Sequence, residues 1–487
     1  MEQFLASLAL IAIVLIAAAL LSSALERAGV PIAAVFLALG ALLGPFGMGL
    51  LDVGFHSAAL HALATLGLAL VLFSDAVTVR IAELSAQRRL VWRVLGPGTL
   101  IPAILIAVAA WLLLGVTPAG AAILGAALAS TDPVLLRGVL RSPALPAPAR
   151  LALRIETGMN DVVLLPIVVL AMLLLRAPSS GVATHDVVRS VLGLFLLGPL
   201  LGAAVGWTGI AALSRVRERI GVRRDYESLY ALGLAFGAYA AAEAVGGSGF
   251  VAAFVAGLMV AMQDVELCDC FLEYGEATAE MLLLLTFVAL GTSLIWSGFA
   301  GVDWRLVVFA CIALGTRTVV LYPILVGAGM ETRDRRLVAL FGARGLSSLL
   351  LVLLPVFLGL PGSDGLFAIT SFVVVLSVVL HGGGIGLFVR RHRVATVQTA
   401  PVLTERAALP IAAPAPDEVP ERIGIDEMRA MQARGEPVVI VDARARRNYD
   451  ADTVTAAGAV RLDPDDPVRD ATALRLSQRA TLVVYCA

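Results

Sequence analysis

The sequence predicts an all-α polytopic membrane protein with about thirteen transmembrane helices and a small α/β tail. Of its 487 residues, 59% are hydrophobic and only 15% are charged. Mean hydropathy is +0.91, well above that of ordinary soluble domains. Apolar stretches long enough to cross a hydrocarbon layer of roughly 30 Å recur through the first 393 residues. The lipid bilayer is therefore the expected surroundings, and a formal net charge of −1 gives no reason to expect nucleic acid as a partner.

The spans follow one another with short polar connections. We place them near residues 3–24, 30–51, 58–79, 93–115, 118–139, 151–175, 187–213, 226–245, 248–263, 277–297, 304–328, 337–359 and 366–389. The first stretch has Glu2 instead of a basic segment and no small-residue cleavage site, so we expect a retained span rather than a signal peptide. An alternative is that the short pair around Gly246-Gly247 forms one broken hairpin.

Arginines predict the orientation in the membrane. The loops after odd-numbered spans and the segment up to Arg393 contain twenty arginines, whereas the loops after even-numbered spans contain only Arg176, Arg189 and Arg305. Because positive loops stay in the cytoplasm, we expect the N-terminus outside and the C-terminus inside. The expected location is the cell (inner) membrane.

Composition changes after the last span, and this change predicts three regions. Residues 1–393 form the transmembrane domain, residues 394–421 form a linker rich in Ala and Pro, and residues 422–487 form a partial α/β module. The module has a helix-like stretch at Asp426–Arg434 and strand-like stretches at Pro437–Asp442 and Thr481–Tyr485.

Charged residues inside the spans need a reason, because each costs on the order of 2.5–3.5 kcal/mol at the centre of a membrane helix. Those that stand out are Asp75, Asp132, Glu156, Asp161, Glu243, Arg317 and Arg344. Glu243, like Glu280, lies near a predicted span end, where a structural role is expected. The four acids from Asp75 to Asp161 together indicate a functional site.

Span five contains Ala129-Ser130-Thr131-Asp132-Pro133-Val134. Pro133 cannot donate a backbone hydrogen bond and disfavours helical geometry at Asp132, so the helix should open there. Backbone carbonyls released at mid-membrane depth are tolerated where they line a cavity or bind something. A simple proline kink is the alternative, but a kink does not require a carboxylate beside two hydroxyls.

Span six contains Glu156-Thr157-Gly158-Met159-Asn160-Asp161. Thr157 and Asp161 are four residues apart and share one helix face, and Glu156 and Asn160 share the neighbouring face. The first face offers a hydroxyl and a carboxylate to a hard cation, which prefers oxygen ligands. A structural polar cluster without a bound ion is the alternative.

Span twelve is interrupted by glycine in Gly342-Ala343-Arg344-Gly345. Spans five and twelve correspond if the first six and last six spans are repeats about the seventh, which predicts inverted repeats with crossed broken helices. In that arrangement Asp132 can neutralise positive helix N-termini and Arg344 negative C-termini.

These motifs, in this order, resemble the monovalent cation/proton antiporter family 1, the prokaryotic Na⁺/H⁺ antiporters related to sodium/proton exchangers. The resemblance covers about residues 1–393 and rests on Thr131-Asp132-Pro133-Val134, Glu156…Asn160-Asp161, Arg317 and the Gly-x-Arg-Gly element at 342–345. Asp75, within Leu72-Phe73-Ser74-Asp75-Ala76, matches an acidic position of the family in span three.

The resemblance implies roles for these residues. Asp161 is the carboxylate that takes the cation or the proton, Thr157 and the Thr131 carbonyl are cation ligands, and Asn160 stabilises the site with Asp132. Glu156 pairs with Arg317, with Arg344 as the alternative. Family members usually form homodimers through a separate bundle, so we expect one here.

The expected function is exchange of a monovalent cation for H⁺, with Na⁺ as the first choice and Li⁺ or K⁺ as other candidates. Asparagine at 160 leaves one titrating carboxylate, Asp161, at the centre, which predicts electroneutral 1:1 exchange. The rivals are a K⁺-specific exchanger or cation channel and a membrane-anchored sulfur-handling protein. No cofactor or resident metal is expected, because the five histidines are dispersed.

The tail resembles a rhodanese-like module. The resemblance rests on Asp442-Ala443-Arg444, Tyr449, Gly458-Ala459-Val460 and Leu482-Val483-Val484-Tyr485-Cys486. It places Cys486 where the sulfur-accepting cysteine of that family lies. A working site also needs a loop of backbone N–H groups after the cysteine, so we expect this tail to be inactive as written.

Overall fold

The computed structural model divides the chain into two units, Met1–Pro401 and Val402–Ala487. It describes residues 12, 16, 20, 32–51, 53–55, 57–78, 87–140, 145–176, 184–220, 224–263, 269–388, 425–443, 456, 458–462, 470–472, 474, 476–477 and 480–485. Span 3–24 lies almost entirely outside these residues, as do linker 394–421 and Cys486. The count of thirteen spans stays a prediction.

The first half of the membrane unit contains eight described helices, and proline or glycine marks several of their ends. They are α1 Ile32–Leu43, α2 Ala58–Val77, α3 Arg88–Leu95, α4 Pro97–Leu114, α5 Pro118–Ala129, α6 Pro133–Leu140, α7 Ala147–Arg176 and α8 Thr184–Leu192. Helix α5 begins where Thr117 Oγ1 accepts the N–H of Gly120 at 3.1 Å, with Pro118 at its first position.

The second half contains eight further helices, joined in places by tighter or wider turns. They are α9 Gly198–Arg219, α10 Arg224–Ala244, α11 Gly249–Met262, α12 Asp269–Thr292, α13 Trp304–Ile324, α14 Thr332–Leu340, α15 Leu346–Phe357 and α16 Ser363–Ser377. A π-helical turn at Gly193–Leu197 precedes α9, and another at Val378–Gly382 follows α16.

Six described helical segments are long and apolar enough to cross a membrane. They are Ala58–Val77, Arg88–Leu114, Ala147–Arg176, Val188–Arg217, Trp304–Ile324 and Ser363–Phe388. Shorter apolar helices include α5 and α15, which lie next to the two interruptions predicted from the sequence. The unit is thus an all-α, multi-pass membrane protein.

The sequence predicts two acids near span ends, Glu243 and Glu280. Glu243 lies at the end of α10 and its Oε1 accepts the N–H of Gly249 at 2.8 Å, which caps the start of α11 across a turn with Gly246 at φ +79°. Glu280 lies three residues after the start of the apolar stretch Ala277–Thr292, near the predicted span end, although helix α12 itself begins earlier, at Asp269.

Close helix packing in the membrane unit uses small residues. A Cβ on Gly202 of α9 would overlap the backbone of Ala252 in α11, and one on Gly40 of α1 would overlap the backbone of Gly291 in α12. Such approaches favour helix association in lipid, where the hydrophobic effect contributes little. Helices α5, α7 and α15 contact one another, and α2 contacts α7.

The second unit contains helix α17, Ile425–Ala433, and a parallel sheet of β1 Val438–Asp442, β2 Val460–Arg461 and β3 Thr481–Tyr485 in the order β2-β1-β3. The helix and the two longer strands follow the sequence pattern closely. Tyr485 donates its hydroxyl to Asp442 Oδ2 at 2.8 Å. The rhodanese-like assignment stays a prediction, since Arg444 and Tyr449 also lie outside the described residues.

Candidate functional site

The first helix break lies between α5 and α6. Ser130 is extended, with φ −63° and ψ 139°, and α6 begins only at Pro133. Because Pro133 has no N–H and restricts the residue before it, the helix cannot run through Asp132. Ser130, Thr131 and Asp132 are all buried, so this non-helical backbone is enclosed by protein.

The second break lies between Leu340, where α14 ends, and Leu346, where α15 begins. It meets the first break directly, because the N–H of Asp132 donates to the carbonyl of Ala343 at 3.0 Å. Glycine is needed at position 345, since a Cβ there would overlap the carboxylate of Asp132. The two unwound segments therefore pack backbone to backbone.

Two charged side chains connect the breaks. Each one reaches from its own break to a helix end at the other break. Asp132 Oδ2 accepts the N–H of Leu346 at 2.5 Å, at the N-terminus of α15. Arg344 Nη1 donates to the carbonyls of Ala129 at 2.7 Å and Ser130 at 3.0 Å, at the C-terminus of α5. Each charge has the sign that stabilises the helix end it contacts.

Helix α7 supplies the central carboxylate. Asp161 is only 6% exposed, and its Oδ1 accepts the hydroxyl proton of Ser130 at 2.5 Å. The neighbouring Asn160 donates through Nδ2 to Thr131 Oγ1 at 2.8 Å. These two hydrogen bonds attach α7 to the first break and bring a carboxylate, two hydroxyls and an unwound backbone together.

Oxygen atoms beside Asp161 remain available as acceptors. Thr157 lies one turn before Asp161 and is buried, and its hydroxyl donates to the Leu153 carbonyl at 2.9 Å, which leaves its oxygen free to accept or ligate. Asn160 Oδ1 is buried and has no hydrogen-bond partner within the part of the chain that is described. Such oxygens suit a hard cation or a water molecule.

Glu156 has a different environment from Asp161, although both are on α7. Its two carboxylate oxygens accept hydrogen bonds from Arg317 of α13, from Nε at 2.6 Å and Nη2 at 2.5 Å. Arg317 also donates through Nη1 to the carbonyl of Ala339 near the end of α14 at 2.8 Å. Both side chains are buried, so this bidentate ion pair links three helices.

Asp75 is half-buried on α2 and faces the glycine of the α7 motif. A Cβ on Gly158 would lie 3.9 Å from Asp75 Cβ. The structure thus places Asp75 next to α7. Cys486, the remaining residue singled out in the sequence, lies outside the described part of the chain.

Sequence reasoning missed two residues at this site. From the sequence, Ser130 is only a hydroxyl next to the predicted break, yet it donates directly to Asp161. The Oγ of Ser377 in α16 accepts the N–H of Arg344 at 2.7 Å and lies 3.2 Å from His381 Nδ1. The signal for Ser130 was its place in the broken span, whereas nothing in the sequence paired Ser377 with Arg344.

Comparisons with known proteins agree on the architecture. Residues 11–391 match the family model described as the transmembrane sodium/hydrogen exchanger. The sodium proton antiporter MjNhaP1 from Methanocaldococcus jannaschii superposes with a TM-score of 0.63 at 18% identity, covering 80% of this chain and 99% of that one. At that identity the likeness shows a shared fold.

Curated relatives include K(+)/H(+) antiporter NhaP2 from Shewanella oneidensis, which is 26% identical over 379 residues, 75% of this chain and 63% of the relative. Na(+)/H(+) antiporter NhaP from Pseudomonas aeruginosa is 30% identical over 291 residues, 55% of this chain and 65% of the relative. The chain thus spans less than two thirds of the length of these relatives. Because the family model matches well over half of the residues, the chain belongs to the sodium/hydrogen exchanger family of transmembrane proteins.

Proposed function

We propose that this protein is a secondary antiporter that exchanges a monovalent cation for a proton at Asp161. The observation that carries the proposal is a buried carboxylate held beside an unwound, enclosed segment of backbone. Non-helical backbone at membrane depth is tolerated where it binds something or lines a cavity. An intramembrane acid in such a place is expected to serve transport.

Competition for one carboxylate supplies the coupling. A carboxylate removed from water is unstable as a bare charge, so it holds either a proton or a cation. When the site faces the side where cations are abundant, the cation displaces the proton, and on the other side the reverse occurs. Alternating exposure of the site to the two faces then gives exchange.

The neighbouring acids have compensating partners, which supports a 1:1 stoichiometry. Glu156 is paired with Arg317, and Asp132 lies at the positive end of α15. The residue before Asp161 is Asn160, which adds no charge. Of the acids at the helix breaks and on α7, Asp161 therefore remains to carry the exchange, and we propose that transport is electroneutral.

The cation ligands that we propose are the Asp161 carboxylate, the Thr157 hydroxyl and the Thr131 carbonyl. Asn160 and Asp132 would hold these oxygens in place through their contacts with Thr131 and Leu346. We propose Asp75 of α2 as a further cation- or proton-binding residue, because it faces the same stretch of α7. Hydroxyl, carbonyl and carboxylate oxygens are what alkali cations prefer.

We also propose an identity for the transported cation. Na⁺ is our first choice, with Li⁺ or K⁺ as candidates, and the relatives at 26% and 30% identity are described as K⁺/H⁺ and Na⁺/H⁺ antiporters respectively. The test is proton movement in inverted vesicles on addition of each alkali cation. We expect Asp161→Asn to abolish exchange, whereas Asp364→Asn, which changes an exposed acid on the same unit, retains it. Exchange by Asp161→Asn at the unmodified rate would refute the assignment.

Stoichiometry, assembly and orientation need separate measurements. Exchange that does not change with membrane voltage supports electroneutral transport, and a voltage-dependent rate opposes it. We also propose a homodimer in the cell (inner) membrane with the N-terminus outside and the C-terminus in the cytoplasm. Crosslinking in native membranes tests the dimer, and labelling of terminal tags from each side tests the orientation.

A further inference from the structure

Helix α3 continues the membrane helix α4 beyond the thickness of the hydrocarbon layer. With 18 residues from Pro97 to Leu114, α4 is about 27 Å long, close to the roughly 30 Å of hydrocarbon in a bilayer. Its outer face is apolar and exposed, as expected for contact with lipid; it includes Leu100, Ile104, Val108 and Trp111. Helix α3, on the other side of Gly96, therefore lies at the level of the lipid headgroups.

The exposed face of α3 differs sharply from that of α4. Leu90 and Val94 are buried in the protein, whereas Arg88 and Arg89 are exposed and Trp92 is 73% exposed. Arginine and tryptophan at headgroup depth suit an interface in which the guanidinium meets phosphate and the indole lies among glycerol and upper acyl groups.

Helix α3 is also fixed to the transport bundle. Arg93 donates through Nη1 to the carbonyl of Val326, just beyond the end of α13, at 2.5 Å. Helix α3 contacts α7, which carries Asp161, as well as α13, which carries Arg317. The exposed Arg88 and Arg89 are thus presented by a rigidly attached helix.

More positive charge lies at the same end of α13. Helix α14 follows this end, and its Arg333 and Arg336 are exposed, while Arg335 lies over the ring of Tyr322 at 5.4 Å. The acid within this helix, Asp334, is buried. Glu331, just before the helix, is exposed. Positive charge therefore predominates among the exposed described residues of α3 and α14.

We propose that α3 is a binding surface for anionic phospholipid, in which Arg88 and Arg89 contact the phosphate headgroups and Trp92 lies in the interface. The distribution of arginines assigns this face to the cytoplasm, where membranes present anionic lipid. Recognition is by the negatively charged headgroup, with a contribution from each arginine. This proposal does not depend on which cation the protein transports.

The test uses Trp92 as the reporter in reconstituted vesicles. Brominated phosphatidylglycerol or brominated phosphatidylcholine is included at increasing mole fraction in a phosphatidylcholine bilayer, and quenching is measured. The Trp92 signal is the difference between the intact protein and a Trp92→Phe variant. We expect half-maximal quenching at a much lower mole fraction of the brominated phosphatidylglycerol than of the brominated phosphatidylcholine. Arg88→Gln and Arg89→Gln should each reduce this preference about fivefold.

The matched control lies at the opposite end of α13, where Arg305 lies 5.7 Å from the ring of exposed Trp304. Arg305→Gln should leave the lipid preference at Trp92 unchanged. Equal quenching by the two brominated lipids, or a preference that survives both α3 substitutions, would overturn the proposal. Displacement of the brominated anionic lipid by millimolar inorganic phosphate would overturn it too, since the site would then take soluble phosphate.

Discussion

The carboxylate of Asp132, in the first helix break, accepts the backbone N–H of Leu346. It thereby caps the N-terminus of α15, the helix that follows the second break. The backbone of Asp132 also donates to Ala343. These two bonds make the crossed segments one mechanical unit. A change in either break should therefore disturb the other, and with it the Ser130 hydroxyl that contacts Asp161.

The first prediction concerns the lack of space between the breaks. In a Gly345→Ala variant the new Cβ would overlap Asp132 Oδ2, so Asp132 must move and lose its bond to Leu346. We expect destabilisation of about 1–3 kcal/mol from the unpaired buried group and loss of most cation/proton exchange. Thermal unfolding in detergent and vesicle exchange measure the two effects.

Gly237→Ala is the matched control for this prediction. Gly237 lies in α10, and a Cβ there would meet no atom within 4 Å. Because alanine favours helix by about 1 kcal/mol over glycine, this variant should be as stable as the unmodified protein or more stable, with full exchange. Equal behaviour of the two variants would contradict the tight contact at Gly345.

The second prediction concerns the stability that the buried ion pair of Glu156 and Arg317 provides. Glu156→Gln leaves the buried guanidinium of Arg317 without a countercharge, and breaking a buried pair costs about 3–5 kcal/mol. We expect a large drop in the midpoint of thermal unfolding. A Glu156→Leu, Arg317→Met double variant should recover much of the lost stability, because neither buried charge then remains.

Exposed ion pairs should behave differently. Arg434 and Glu436 form a pair at 2.7 Å, but their side chains are 59% and 39% exposed. Arg434→Gln should change stability by no more than about 1 kcal/mol. If Glu156→Gln were as mild as this control, the buried pair would not be the structural link that its geometry indicates.

Much of this architecture could be predicted from the sequence because single residues impose it. Pro133 restricts Asp132 whatever the rest of the chain does, so the first break follows from a dipeptide. Thr157 and Asp161 share a face because helical spacing fixes their directions. The span boundaries follow from hydropathy, although a helix can begin before its apolar stretch, as α12 does at Asp269.

The remaining contacts depend on how distant segments cross. Arg344 reaches Ala129 and Ser130, more than two hundred residues away, and Glu156 reaches Arg317, 161 residues away. Sequence charges suggested that such pairs form but left Arg317 and Arg344 as alternatives for Glu156. Ser377 could not be identified, because its hydroxyl finds the Arg344 backbone only after α16 packs against α15.

The third prediction concerns the orientation of Asn160. Thr131→Val keeps the shape of the side chain but removes the oxygen that accepts from Asn160 Nδ2. A buried amide donor left unpaired costs about 1–3 kcal/mol. We expect a higher half-saturating cation concentration, because Asn160 then no longer ties α7 to the first break. Thr131→Ser keeps the hydroxyl and should keep exchange, whereas a defect in Thr131→Ser as large as that in Thr131→Val would show that the hydrogen bond from Asn160 does not set the cation affinity.

The fourth prediction concerns the shape of Arg344 rather than its charge. Arg344 Nη1 donates to two carbonyls at the end of α5, and its backbone N–H is held by Ser377. Lysine keeps the positive charge, but it is a point donor that lacks the planar fork of arginine. We expect Arg344→Lys to lower the exchange rate severalfold, because the carbonyls of Ala129 and Ser130 lose a fixed donor and Ser130 is the residue that contacts Asp161.

The comparison is Arg305→Lys at the start of α13, where the arginine borders an exposed Trp304 and substitution should leave exchange unchanged. Exchange in Arg344→Lys vesicles at the unmodified rate would show that charge alone is sufficient at this helix end, and that the two-carbonyl contact does not control the site.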